Sequence, residues 1–218
     1  MVFTVKLNQI ELQPGQNLIF HDINWHEFEI LLEELGEHRG SRVSYYRGVL
    51  EIRMPLPEHE VIKELIGEMV KILLDELKFR WRSYGSTTFK NQEMFAGIEP
   101  DICFYIKNIS SMIGKKRINL AIDPPPDLAI EIDLTSKTQI STYVALGVPE
   151  LWCYDNGKLQ IFVLSNGEYL KSENSTIFVD IPIIEGILQF LELSEIEDSS
   201  VIRQQFREWV QQQKNQHS

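Results

Sequence analysis

The chain has 218 residues, of which 43% are hydrophobic and 24% are charged, as in an ordinary globular domain and unlike a disordered or fibrous chain. Its formal net charge of −11 argues against broad, sequence-independent binding of nucleic acid. A nuclease with one basic face and metal-neutralised carboxylates stays compatible with it. No apolar run is long enough to span a bilayer, and we expect no signal peptide. Two isolated cysteines in β-rich runs favour buried reduced thiols and a cytoplasmic location.

The N-terminal part predicts one extended segment and then a helix. Residues 1–23 alternate weakly around a Pro-Gly turn, which favours an extended lead-in with one edge strand. Asn24 and Glu27 have the spacing of a capping box, and apolar residues recur at helical intervals up to Gly36, a residue type that favours a helix C-terminus. We therefore expect a short amphipathic helix between Asn24 and Gly36.

A hairpin and a long helix are predicted next. Two β-rich runs, 43–46 and 49–52, flank an Arg-Gly pair that fits a two-residue turn. A proline-bounded turn then leads to a helix that starts near Glu58 and carries a broad apolar stripe, typical of a helix packed on a sheet. His59 and Glu60 fall in its first turn, where an acid is stabilised by the helix dipole. We interpret both residues as structural unless the start of the helix faces a catalytic site.

The middle of the chain predicts three strands and a basic loop. The strands are expected at 87–90, 101–106 and 127–134. The loop between the last two contains Lys115, Lys116 and Arg117, the densest basic cluster in the chain. Most such clusters are solvated surface, but this one lies at one end of two acid-bearing strands. Solvated loop and contact with DNA phosphate therefore stay open as equal alternatives.

The C-terminal part predicts a helix, an antiparallel meander and two terminal helices. Ser136 fits an N-cap and Gly147 a C-cap. Two Asn-Gly turns separate the strands of the meander, expected at 150–154, 159–164 and 169–171. Short helices over 188–193 and 201–210 and a frayed polar tail over 211–218 complete the chain. We divide it into an N-terminal extension (1–23), one domain (24–195), and a C-terminal helix and tail (196–218).

Acidic residues occur at or inside predicted apolar strands, where a charged side chain is energetically unfavourable. Asp101 begins the run Ile-Cys-Phe-Tyr-Ile, and Glu131 interrupts Leu-Ala-Ile-Glu-Ile-Asp-Leu. An ionised carboxylate inside an apolar strand is costly unless it is paired, hydrogen-bonded or bound to metal. Strand alternation places Glu131 and Asp133 on one face, which we expect to look onto a cleft or solvent. An ordinary half-solvated acidic strand is the simpler alternative.

Two acids on neighbouring strands with a lysine close behind suggest a hydrolytic metal site. Hard cations such as Mg²⁺ or Mn²⁺ take oxygen ligands, and one or two carboxylates can hold such an ion against a phosphate. Lys137 follows Asp133 by four residues and could orient the attacking water or offset charge in the transition state. Signatures of serine hydrolases, P-loop proteins, zinc proteases and dinucleotide-binding proteins do not occur in the sequence.

Three segments carry a resemblance to a known family. E-P-D-I-C-F-Y-I, D-L-A-I-E-I-D-L-T-S and Y-V-A-L-G-V-P-E-L-W-C-Y-D-N, with R-G-V-L-E-I-R-M-P-L-P-E-H-E upstream, resemble a bacterial family of restriction-endonuclease-like proteins first labelled a domain of unknown function. That family belongs to the PD-(D/E)XK nuclease superfamily. The resemblance covers roughly residues 24–165. The segment from Tyr143 to Trp152 is its most specific part.

The resemblance implies an α/β fold of the mixed (α+β) kind, with a restriction-endonuclease-like core in which helices flank a central mixed sheet; the pattern adds the C-terminal antiparallel meander. It also implies that Asp101 and Glu131 are the metal ligands and that His59 lies near the site. The superfamily lysine two residues after Glu131 is replaced by Asp133, and the resemblance makes Lys137 its substitute. Asp133 is then an accessory ligand, as Glu60 would be, or the mark of a repurposed site.

Two functions stay open from the sequence. The first is a Mg²⁺-dependent endonuclease that hydrolyses DNA. The second is a catalytically inactive nuclease-fold protein that serves as a binding or assembly module, which the acidic balance and Asp133 favour. A homodimer fits the first function, because cutting both strands of a duplex requires two sites and the meander offers an edge strand for pairing. No membrane partner is expected.

Overall fold

The structure, a computed structural model, describes residues 9–36, 40–85, 87–133 and 136–216, without the side chains of residues 137 and 138. The described residues form eleven strands: β1 (Asn17–Phe20), β2 (Arg42–Tyr46), β3 (Val49–Arg53), β4 (Arg82–Ser83), β5 (Phe89–Asn91), β6 (Ala96–Ile98), β7 (Ile102–Tyr105), β8 (Leu128–Ile132), β9 (Glu150–Asp155), β10 (Lys158–Ser165) and β11 (Glu168–Ser172). The helices are α1 (Trp25–Leu35), α2 (Pro57–Glu76), α3 (Ile109–Met112), α4 (Lys137–Leu146), α5 (Ile183–Leu193) and α6 (Ser199–Gln216).

The described strands form two sheets. The first is antiparallel and has the order β1-β3-β2-β6-β5. The second has the order β11-β10-β9-β8-β7-β4, in which β8 and β9 run parallel and the other pairs run antiparallel. The parallel pair is joined through α4, as a crossover between parallel strands requires. The predicted mixed sheet with its C-terminal meander is therefore the second sheet.

Local signals account for the helix ends. Asn24 accepts a hydrogen bond from the Glu27 amide and Glu27 accepts one from the Asn24 amide, which completes the predicted capping box of α1. Ser136 caps α4 by accepting from the Gln139 amide at 3.2 Å. Gly147 ends the same helix in the left-handed region, with φ of 72°.

Three apolar clusters hold the sheets and helices together. One face of the second sheet packs against α2, α5 and α6 and includes Phe104, Ile130 and Trp152. Its other face, with Cys103 and Cys153 buried as free thiols, packs against α4 and part of the first sheet. The third cluster lies between α1 and the first sheet. The central strands β7 and β8 are therefore covered on both faces, and a polar side chain on them is removed from water.

The first sheet and the C-terminus differ from the expectations. The first sheet was predicted only in part, as its hairpin, its edge strand and the strand at 87–90 that overlaps β5, because β6 has only three residues. Helix α6 runs to Gln216 instead of fraying after 210, since it packs on α2 and its polar residues bind there. Arg207 and Gln211 both contact the Glu76 carboxylate, at 3.3 and 3.0 Å. No described helix has the length and apolarity needed to cross a bilayer.

Candidate active site

The two acids singled out by the sequence come together at one end of the second sheet. Asp101 immediately precedes β7, and Glu131 lies near the end of β8. The antiparallel register, which pairs Ile102 with Ile130, brings both acids to the same end of the strand pair. Asp101 is 4% exposed and Glu131 is 0% exposed, so neither carboxylate faces open solvent.

Hydrogen bonds from the neighbouring backbone and from α4 fix the two carboxylates. The Ile132 amide donates to Asp101 Oδ2 at 2.9 Å, which ties the side chain of one strand to the backbone of the next. The Tyr143 hydroxyl donates to Glu131 Oε1. Because Tyr143 is itself buried in the cluster between α4 and the second sheet, it holds Glu131 from a rigid position.

One guanidinium group occupies the point where the oxygens of this site converge. Arg53 ends β3 of the first sheet and is 12% exposed at its side chain. Its Nη2 atom lies 2.5 Å from Glu131 Oε2 and 3.3 Å from Asp101 Oδ2, and its Nη1 donates to the Ile132 carbonyl oxygen at 3.2 Å. Three oxygens from two adjacent strand ends therefore share one cation.

A second arginine links the carboxylates to the start of α2. Arg42 is the cross-strand partner of Arg53. Its Nε lies 3.6 Å from Asp101 Oδ1 and has no hydrogen bond within the described part of the chain, and its Nη2 lies 3.5 Å from Glu60 Oε1. Two arginines opposite each other would repel, and the acids around them offset that repulsion. The first turn of α2 therefore faces the site, which was the condition for a chemical role of His59.

His59 and Asp133 form a pair beside this cluster. His59 Nε2 lies 2.7 Å from Asp133 Oδ2. Asp133 has φ of 59° and follows the last residue of β8, so it leaves the strand instead of continuing its alternation. The expectation that Glu131 and Asp133 share a strand face is therefore wrong: Glu131 points into the layer beneath α4, and Asp133 turns towards α2.

Burial governs the protonation of the site. Burial raises the pKa of Glu131 to about 8; Arg53 opposes this rise and Asp101 adds to it. Burial also disfavours the charge on Arg53, but the Glu131 and Asp101 carboxylates outweigh it and raise the pKa of Arg53 further above its usual range. The pKa of Tyr143 is raised by burial and by Glu131, so its hydroxyl stays a donor. The site therefore holds protons more tightly than the same groups would in water.

The donor set fits a hard divalent cation. No group of three or more His, Cys, Asp or Glu side chains among the described residues is arranged as a metal site. The convergence at Arg53 instead offers two carboxylate oxygens and one backbone carbonyl oxygen. Mg²⁺ and Mn²⁺ prefer oxygen ligands, and Mg²⁺ is commonly held by one or two carboxylates while it keeps several waters. Asp101, Glu131 and the Ile132 carbonyl thus have the chemistry for such an ion.

Two comparisons relate the chain to known proteins. The model of the Uma2 family, described as “Putative restriction endonuclease”, matches residues 25–192. The chain belongs to the Uma2 family. It is also similar to a solved structure titled as a putative nuclease belonging to DUF820 from Anabaena variabilis, with 18% identity and a TM-score of 0.49 over 86% of this chain and 99% of that one. No curated protein matches the chain.

Not every residue proposed from the sequence is gathered in this Uma2 chain's site. The backbone of Lys137 begins α4, two turns before Tyr143, but its side chain lies outside the described residues. The basic loop leaves the end of β7 that is opposite to Asp101, because Asp101 directly precedes β7 and the loop follows it. Lys115 there pairs with Asp123, and Lys116 and the Arg117 beside it are exposed. The loop therefore does not lie beside the carboxylates, and its contact with DNA stays a prediction.

Three residues of the Uma2 site were missed by sequence reasoning. Arg42 contacts Asp101, Tyr143 contacts Glu131, and Arg53 contacts both acids. Arg53 and Tyr143 lie inside segments quoted for the resemblance, and Tyr143 begins the most specific one. A signal for Arg53 was its place at the end of a strand that otherwise alternates apolar residues. The signal could not show which acid the arginine meets, because that contact spans 78 positions of sequence.

Proposed function

We propose that this protein is a metal-dependent endonuclease that hydrolyses phosphodiester bonds of DNA. The observation that supports it best is the convergence of Asp101 Oδ2, Glu131 Oε2 and the Ile132 carbonyl oxygen on one cationic group. Buried oxygens of this kind form a pocket for positive charge, and their donor type is that of Mg²⁺ or Mn²⁺. Membership of a family described as restriction endonucleases makes nucleic acid the expected substrate.

In this proposal Asp101 and Glu131 are the metal ligands. When bound, the ion would polarise a phosphoryl oxygen and lower the pKa of a bound water. The chain's own residues set the geometry: the Ile132 amide holds Asp101, and Tyr143 holds Glu131. A ligand whose remaining oxygen is already hydrogen-bonded is oriented before the ion arrives, which raises affinity and selectivity.

The other proposed residues act from the starts of two helices. Lys137, the first residue of α4, assists the attacking water. His59 contacts Asp133, which fixes the ring at the start of α2 on the side of the carboxylates.

Arg42 and Arg53 supply local positive charge in a chain with a net charge of −11, and an anionic phosphate is attracted to such a place. Glu60 and Asp133 serve as accessory acids.

A homodimer is part of the proposal because a duplex has two strands to cut. The second sheet ends in β11, an edge strand whose residue Leu170 is 57% exposed. Pairing of two such edges would join the sheets of two copies. Sedimentation velocity of the wild type and of a Leu170→Lys variant would test this arrangement separately from catalysis.

The direct test is cleavage of supercoiled plasmid DNA with Mg²⁺ or Mn²⁺ by the wild type, Asp101→Asn and Glu131→Gln. Asp123→Asn is the matched control, because Asp123 is also a buried acid with a cationic partner but belongs to the loop at the far end of the strands. We expect cleavage by the wild type and the control, and its loss in both site variants. Cleavage that survives both site substitutions would place the chemistry elsewhere.

A second candidate function rests on the same arginine. Arg53 already neutralises the pocket, and Asp133 stands where the superfamily has its lysine, so the chain could bind partners with a site that no longer takes metal. Absence of cleavage with either metal on plasmid, linear and single-stranded DNA would favour this binding module over the endonuclease.

A further inference from the structure

We infer that Arg53 is an internal competitor of the divalent cation and must leave the pocket when the ion binds. This inference rests on the proposed function, since it concerns the same oxygens. It assigns Arg53 a role in setting the affinity for metal, which neither the family description nor the pattern of acidic residues contains. Without metal the guanidinium occupies the place of the ion; with metal it would be expelled.

Distances make the two states mutually exclusive. The guanidinium nitrogens lie 2.5 Å from Glu131 Oε2, 3.3 Å from Asp101 Oδ2 and 3.2 Å from the Ile132 carbonyl oxygen. A magnesium ion sits about 2.0–2.1 Å from its oxygen ligands. An ion bound to the same three oxygens would therefore occupy the volume that the Nη atoms fill. The two positive charges would also repel strongly in a pocket shielded from water.

The need for a resident cation follows from burial. Asp101 and Glu131 are 4% and 0% exposed, and when both are ionised, as metal ligands must be, two carboxylates this close destabilise each other unless a positive charge lies between them. Arg53 supplies that charge in the absence of metal. It stands at the last position of β3, directly before the connection to α2, and part of its side chain reaches the surface. A long side chain at a strand end can change rotamer without moving the sheet.

Arg42 serves as a control for Arg53, because it lies beside the same carboxylates but does not occupy the point where the three oxygens converge. It is opposite Arg53 in the β2–β3 ladder and carries the same charge. Its closest approach to the acids is 3.6 Å, to Asp101 Oδ1, an oxygen that Arg53 does not contact. Removal of Arg42 therefore changes the local charge by the same amount but leaves the convergence point filled.

The test measures metal binding and does not require activity. Mn²⁺ is titrated by isothermal calorimetry into the full-length wild type, Arg53→Met, Arg53→Lys and Arg42→Met, with Asp101→Asn to subtract surface binding. We expect Arg53→Met to bind Mn²⁺ about tenfold or more tightly than the wild type. Arg42→Met should gain less, because it changes only the surrounding field. Arg53→Lys should lie between, since an ammonium group cannot bridge all three oxygens as a guanidinium does.

The outcomes separate this inference from the proposed function. Equal Mn²⁺ affinity in the wild type and Arg53→Met, with binding lost in Asp101→Asn, would keep the metal site and overturn the competition. Weaker binding in Arg53→Met would also overturn it, because Arg53 would then be supporting the ligands. Equal gains in Arg42→Met and Arg53→Met would reduce the effect to general charge and overturn it as well. No site-specific binding in any protein would remove both the inference and the metal from the proposed function.

A measurement on the wild type keeps the inference testable if Arg53→Met does not fold. The side-chain Nε–H signal of Arg53 is followed by nitrogen-15 NMR, assigned by its absence in Arg53→Lys, while diamagnetic Mg²⁺ is added. We expect the signal of the ion-paired guanidinium to disappear or shift towards that of a solvated arginine as the site fills. A signal that stays unchanged at Mg²⁺ concentrations that support cleavage would contradict the inference.

Discussion

Two fully buried glutamates on adjacent strands of the second sheet show how differently a protein can hold a carboxylate. Glu131 and Glu150 are both 0% exposed, on the parallel strands β8 and β9. Among the described residues, Glu150 accepts hydrogen bonds from uncharged groups only: Trp152 Nε1 and Ser175 Oγ at 2.6 Å, and the Thr176 amide and hydroxyl at 2.7 and 2.6 Å. Glu131 accepts from the Tyr143 hydroxyl and from a cationic arginine.

The difference separates a structural acid from one suited to chemistry. The donors to Glu150 belong to its own strand and to one nearby segment, and no single mobile group could replace them. Glu131 depends on one positive charge contributed by another sheet, and a different cation can take that place. The two acids also lie at opposite ends of the parallel pair, and Glu131 is at the carboxyl end, where open α/β sheets bind ligands.

The largest effect on folding is expected at the structural acid. Glu150→Gln should lower the free energy of unfolding by about 2–4 kcal/mol, because an amide can accept from only some of the four donors and leaves the others unpaired in the core. Glu131→Gln should lower it less, since Arg53 keeps Asp101 and the Ile132 carbonyl as partners. Urea denaturation in EDTA would measure the loss of free energy of unfolding in both variants. A larger loss in Glu131→Gln would contradict the assignment of Glu150 as the structural acid.

Bound metal should stabilise the protein through Glu131 and not through Glu150. At a Mn²⁺ concentration about a hundred times the dissociation constant, one site adds about 2.7 kcal/mol to the free energy of unfolding. We expect this gain in the wild type and in Glu150→Gln and its loss in Glu131→Gln. Thermal denaturation over a series of Mn²⁺ concentrations is the measurement. The same gain in all three proteins would mean that the ion binds elsewhere.

The pH dependence of stability should report the raised pKa of Glu131. The pKa of Glu131 is raised from 4.5 to about 8, so the folded state holds a proton that the unfolded chain has lost between these values. Stability of the metal-free protein should therefore fall as pH rises from about 4.5 to about 8, by at most about 1.4 kcal/mol per pH unit from this group. The difference between the wild type and Glu131→Gln isolates this contribution from that of Asp133, whose pKa burial also raises.

That pH experiment has a clear contrary result. Urea midpoints in EDTA at four pH values across the window would give the slope for each protein. Parallel profiles of the wild type and Glu131→Gln would mean that Glu131 is ionised throughout and that Arg53 offsets its burial fully.

The smallest effect on stability is expected at the rim of the site. His59→Gln removes a partly exposed pair with Asp133 and should change the free energy of unfolding by less than about 1 kcal/mol. Cleavage should fall by about tenfold or more, because His59 lies at the helix start that faces the carboxylates. Stability and cleavage rates measured on one preparation would separate the two roles. Unchanged cleavage would make His59 a structural residue, the simpler reading of its position.

Sequence patterns predicted the features that depend on neighbouring residues, such as caps and turns, and the charged residues that lie inside apolar strands. The cap at Asn24, the stop at Gly147 and the two Asn-Gly turns needed only local rules. Asp101 and Glu131 were recognisable because a charge inside an apolar strand needs a reason, and the antiparallel register brings them to one end.

Contacts between distant segments escaped that reasoning. Arg53 contacts Glu131 across the two sheets, and the strand β6 of the first sheet has too few residues to show a period. Asp133 was expected to continue the alternation of β8, but its positive φ turns the chain at that residue.

The most direct test is a crystal structure of the protein grown with Mn²⁺, with anomalous diffraction data collected at the manganese edge. We expect a peak about 2.0–2.3 Å from oxygens of Asp101, Glu131 and the Ile132 carbonyl, with the Arg53 side chain moved out of the pocket. An empty pocket with Arg53 still bound to both carboxylates, in crystals of a preparation that cleaves DNA with Mn²⁺, would contradict it.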